Sequence, residues 1–242
     1  MKFLRVPFGL WDFFGYLIPG LVILTAIYEL EIIPIQIAAV ISKQEIILRI
    51  IILLLSAYFC GCIISPISYV LYECGCTAIC GHPIKRFFKI TSKNEAKVSQ
   101  SKSSLYRFIP WIQEPFSDEF LDKLSCAMKD LFKLPNLANQ KMANFEPLCR
   151  LKIKKESPEL DFMIERESAQ IWLYRGLSFS FLLLGTVEIF KDFIAFGVFL
   201  ITVSILFLYS FLMRLYAKPR TIYFAIYLFW EGTVSTENKL VL

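Results

Sequence analysis

Cys74, Cys76, Cys80 and His82 form the densest group of chemically capable side chains in the chain. Three thiolates and an imidazole are a possible zinc donor set, since Zn2+ takes four such ligands in a tetrahedron. Their spacing, C-x-C-x3-C-x-H, departs from that of zinc knuckles and asks one short loop to close all four bonds. The competing reading is a set of reduced thiols, because disulfides do not persist in the cytoplasm. We expect no metal and no other cofactor, and keep these four residues as the metal candidates. His82 is the single histidine, and no G-x-S-x-G, H-E-x-x-H or P-loop accompanies it. With no nucleophile, base and orienter to assemble, the expectation is a protein without catalytic residues.

The elements that must position these residues are hydrophobic ones. Of the 242 residues 56% are hydrophobic and 19% charged, more apolar surface than a soluble domain hides. Ile50 to Tyr72 carries no charge for 23 residues, and Phe193 to Met213 none for 21. A helix of roughly 20 apolar residues crosses a hydrocarbon core. Phe13 to Tyr28 and Ser168 to Thr186 are less clean, the latter holding Arg175. The reading is an all-α integral membrane protein with four transmembrane helices and a helical cytoplasmic segment between the second and third. It divides into a first transmembrane hairpin (1–72), the cytoplasmic segment (73–167), a second hairpin (168–213) and an interfacial tail (214–242).

Charge sets the orientation. Glu73 to Trp172 carries 16 Lys/Arg and 13 Asp/Glu, with basic residues crowded at its membrane ends, whereas the two opposite loops are poorer in them. Lys and Arg near span ends stay on the cytoplasmic side, which puts both termini and the central segment there. Lys85, Arg86, Arg175, Arg214 and Trp230 are the expected membrane-interface residues. Arg175 is read as snorkelling to headgroups and Glu188 as doing the same at the other boundary. With no charge at mid-membrane depth, proton-coupled transport is disfavoured.

Ala57, Gly61 and Ser65 recur every four residues in the second span and present one face. Small residues let helix backbones approach closely, either within the chain or as an oligomer contact between copies. Pro66 removes a backbone bond, and the Ser65 and Ser68 hydroxyls stand ready for the freed carbonyls. Ser117 to Leu134 reads as an amphipathic helix capped by Ser117, with Phe120, Leu121, Leu124, Met128, Leu131 and Phe132 on one face. A second helix begins at Ser157-Pro158 and runs unbroken into the third span. The aromatic stretch Thr221 to Trp230, too short to span, reads as a helix along the inner leaflet or under the bundle. The central segment is too charged for a large core of its own and needs a partner surface. Its basic residues are diffuse, which argues against direct nucleic-acid binding.

The run Trp11-Asp12-Phe13-Phe14-Gly15-Tyr16-Leu17-Ile18-Pro19-Gly20 resembles the opening of small multi-pass bacterial membrane proteins. Some of these serve anti-phage systems, as CRISPR-associated membrane accessories or as the membrane subunit of Kiwa-type defence. The resemblance covers about ten residues and the four-span layout. It implies a homo-oligomer in the bacterial inner membrane working with a soluble cytoplasmic partner, and it implies no catalytic residue. The leading expectation is a non-enzymatic sensor or effector of defence. The alternatives are a channel or transporter for an uncharged or lipid-like solute, and a metal-dependent membrane enzyme.

Overall fold

A computed structural model describes residues 10–32, 43–75, 83–88, 116–133 and 142–240. All regular structure among them is helical: α1 (Leu10–Glu29), α2 (Ile46–Ser68), α3 (Pro83–Phe87), α4 (Asp118–Phe132), α5 (Glu146–Glu156), α6 (Pro158–Phe190) and α7 (Ile194–Leu240). A π-helical turn, Tyr69–Cys74, continues α2 directly. Three of the described helices are long and apolar enough to cross a membrane, Ile46–Cys74, Pro158–Phe190 and Ile194–Gly232, and a shorter apolar stretch covers Gly15–Glu29.

The chain separates into two compact units, one of residues 1–75 with 168–212 and the other of 76–167 with 213–242. Helices α6 and α7 each contribute to both.

In the first unit α1 and α2 pack closely, because glycine faces backbone on both sides. A Cβ on Gly20 would overlap the Ala57 carbonyl, and one on Gly61 would overlap the Tyr16 carbonyl. Ala57 is fully buried there. The structure therefore takes the intrachain alternative for Ala57 and Gly61: this face holds α1 of the same chain. Pro66 costs the helix a donor, and the Ser68 hydroxyl donates to the Ser65 carbonyl at 2.9 Å just before the π-turn. Helix α6 is the most enclosed of the long helices. Half of its most apolar stretch is buried, against 11% for Ile46–Cys74 and 22% for Ile194–Gly232. The latter two thus present broad apolar sides outward, as a lipid-facing helix does.

The second unit has a core, to which the far end of α7 contributes Tyr216, Ile222, Tyr223 and Ile226. Ser117 accepts a bond from the Phe120 N–H at 3.2 Å and caps α4, and Lys133 closes the helix in the left-handed region at φ 54°. Leu121, Leu124, Ala127 and Met128 are its buried face. The far end of α7, which runs through Pro219 without a break, meets α4 through Phe120 and Asp130. Thr221 to Trp230 is therefore not a separate helix. Phe120 stacks on Phe224 at 4.7 Å, Phe88 meets Tyr223 edge-on at 4.8 Å, and the Tyr223 hydroxyl donates to the Met142 carbonyl at 3.2 Å. Aromatic pairs of this kind add about 0.5–1.5 kcal/mol each beyond their area. Cys149 is buried in the same core, where desolvation pushes its thiol up to about 12.

Candidate functional site

The four-residue spacing of Ala57, Gly61 and Ser65 continues through the π-turn to Tyr69 and Glu73. That stripe ends on an arginine. Arg175 of α6 donates from Nη1 to the Glu73 Oε2 at 2.7 Å and from Nη2 to the Ser65 Oγ at 3.4 Å. Its guanidinium carbon lies 5.3 Å from the centre of the Tyr69 ring, in cation–π range. Next along α6, Gly176 lets the helix meet Pro19 of α1: a Cβ there would stand 2.8 Å from the proline Cγ. One turn further, the Ser180 hydroxyl donates to the Pro19 carbonyl at 3.1 Å.

Arg175 does not snorkel. Its side chain is only 5% exposed, and Glu73 is 27% exposed. A carboxylate within hydrogen-bonding distance, supplied by the π-turn that follows α2, replaces the headgroup contact expected from sequence. The Arg175 Nε is buried with no hydrogen-bond partner among the described residues, so the guanidinium is held through one edge and leaves one donor unmet. Glu188, also expected to reach out, is 8% exposed.

Two further polar contacts brace the unit. Ser178 Oγ donates to the Ser204 carbonyl at 2.9 Å, and Ser204 Oγ donates to the Ser178 carbonyl at 2.6 Å, a reciprocal pair between α6 and α7. Near the α6–α7 turn, Lys191 Nζ lies 2.9 Å from the Glu29 Oε2. That hydrogen bond holds the Lys191 ammonium above the usual lysine range.

The remaining sequence candidates are not gathered at this site. Cys74 is exposed at the end of the π-turn. Cys76, Cys80 and His82 lie outside the described residues, as do the side chains of Lys85 and Arg86. No group of three or more metal-capable side chains occurs among the described residues. Arg214 is half-buried on α7, and the Trp230 indole N–H donates to the Asp130 carboxylate at 2.8 Å within the second unit.

Chemically the arrangement holds the Arg175 guanidinium against a carboxylate, a hydroxyl and an aromatic ring. An all-helical protein with helices long and apolar enough to cross a membrane, two of them joined by a largely buried ion pair, is the class this fold and site define. Compared with the known protein families, with curated proteins and with solved structures, the chain matches none.

Proposed function

We propose that the chain is a non-enzymatic sensor or effector of a bacterial inner membrane, homo-oligomeric and working with a soluble cytoplasmic partner in anti-phage defence. Its four spans leave both termini and residues 73–167 in the cytoplasm. The Arg175–Glu73 pair carries this reading. Arg175 lies within the third span and is held by Glu73 at its cytoplasmic border; an ionisable group there is costly and marks function, and replacing such a pair by apolar side chains of similar volume is often neutral or stabilising. A pair retained despite that cost suits a two-state element, closed when the guanidinium is held and open when it is released. Arg175 lies about two turns along α6 from Ser168, where that helix passes from one unit to the other. The defence setting is supported by the likeness of Trp11 to Gly20 to accessory proteins of such systems.

Phage challenge of cells carrying the native locus tests the reading. Wild type should protect, while Glu73→Leu with Arg175→Met should insert at equal abundance and fail to protect. Full protection by that double variant would make the pair structural only, and no protection by wild type would remove the defence setting. Single cysteines at Pro34 and Gln100 test the topology: labelling from outside intact cells should reach the first and not the second.

A further inference from the structure

The small-residue face of α2 is occupied by α1, so assembly needs another surface, and the second unit offers a complementary pair of features. The first is an open-sided groove of about 430 Å³ along α7, walled by Ala217, Phe224, Ala225 and Leu228 and closed on one side by Leu160 of α6. Its one charged lining residue is Arg220, whose guanidinium carbon lies 5.9 Å from the centre of the Phe224 ring. Arg220 has no carboxylate partner among the described residues. The second feature is a plug. Phe162 is 57% exposed, more than Phe224 in the groove at 39%, and so leaves a large apolar ring in need of cover. Glu159 and Glu165, both exposed, stand three residues to either side of it and so share its helical face.

We infer that Phe162 of one copy of this chain seats in the Leu160–Arg220–Leu228 groove of a second copy, with Glu159 and Glu165 facing Arg220. Shape and charge both fit: an aromatic ring rimmed by carboxylates meets an apolar groove holding one guanidinium. One chain cannot make this contact with itself. Phe162 and the groove-lining Leu160 are two residues apart on one helix, hence about 200° apart around it. Each copy therefore gives a plug and offers a groove, as a closed symmetric assembly requires. The inference rests on the homo-oligomeric part of the proposed function and names its contact.

A photoreactive benzoylphenylalanine at position 162 of the full chain, irradiated in native membranes, tests it. The expected product is an adduct of dimer mass whose modified peptide falls within residues 217–228. Arg220→Glu should cut its yield at least tenfold, and adding Glu159→Lys and Glu165→Lys to that variant should restore it. Adducts only to lipid or to a different protein, or a dimer adduct indifferent to Arg220→Glu, would overturn the inference. Native mass spectrometry of wild type separates the two levels. A monomer would overturn the homo-oligomeric reading as well, whereas an oligomer lacking the 162-to-groove adduct would overturn this contact alone.

Discussion

Two ion pairs tie the first unit together, and they differ in almost everything except the chemistry of their partners. Arg175–Glu73, at 2.7 Å, has side chains 5% and 27% exposed; Lys191–Glu29, at 2.9 Å, has 33% and 38%. The lengths are nearly equal, so distance does not rank them. Environment does. A pair with both members about a third open to water, as Lys191–Glu29 is, exchanges water for a partner at little net gain. Arg175 has forgone its hydration almost wholly, and removing Glu73 strands it. The geometry adds a second contrast, because Lys191 sits at a helix–helix turn, where an ammonium keeps access to solvent. Arg175 instead projects from the middle of a helix against Ser65, Tyr69 and Glu73.

Substitutions should reproduce that contrast. The largest effect is expected upstream of both pairs, from Gly61→Leu. Tyr16 backbone occupies the space the new side chain needs, so α1 must leave α2. The expected outcome is loss of a monodisperse species in detergent, while leucine itself remains compatible with insertion; an unchanged elution profile and melting curve would contradict the close packing. Next is Glu73→Ala, which leaves Arg175 without its counter-charge and should cost on the order of 3–5 kcal/mol, read as a lower midpoint of heat-induced aggregation. Ser204→Ala removes one of the two reciprocal serine bonds and should cost about 0.6 kcal/mol, the average for such bonds between membrane helices.

Lys191→Ala should change the midpoint least. Its pH dependence has a fixed sign. The bond to Glu29 raises the folded-state pKa of Lys191 above its unfolded value, so the pair's contribution is complete below the ordinary lysine range. It disappears as pH rises through the folded value. Wild type and Lys191→Ala should therefore differ by the same small amount from pH 6 to 9, and converge only in strong alkali. A difference that opens on acidification within that interval would contradict the assignment.

Much of this architecture is legible in the sequence, for reasons that can be named. Uncharged runs longer than a bilayer needs show where α2 and the first half of α7 lie, and Ser117 followed by two acids marks the start of α4. The unbroken course of α6 from Pro158 follows from the lack of any breaker before Gly176. Two features are not legible. Thr221 to Trp230 reads as a helix of its own, yet it continues α7 through Pro219, because the second unit rewards continuation by burying Tyr223 and stacking Phe224 on Phe120. Propensity yields there to packing. Arg175 reads as a snorkelling side chain because a single sequence shows a charge near a span end and not what stands opposite. The signal was nonetheless present. Extending the Ala57–Gly61–Ser65 spacing by two further steps reaches Tyr69 and Glu73, which places an acid on the face that α6 shares.

The most direct test of the central claim, that Arg175 and Glu73 act as one buried unit, is a thermal-stability cycle in matched detergent. It compares wild type, Glu73→Leu, Arg175→Met and the double variant. The account predicts that each single change lowers the midpoint sharply and that the double variant recovers most of the loss, since it strands no charge, giving a coupling energy above about 2 kcal/mol. Two single losses that merely add in the double variant, as expected of a pair more open to water such as Lys191–Glu29, would contradict it.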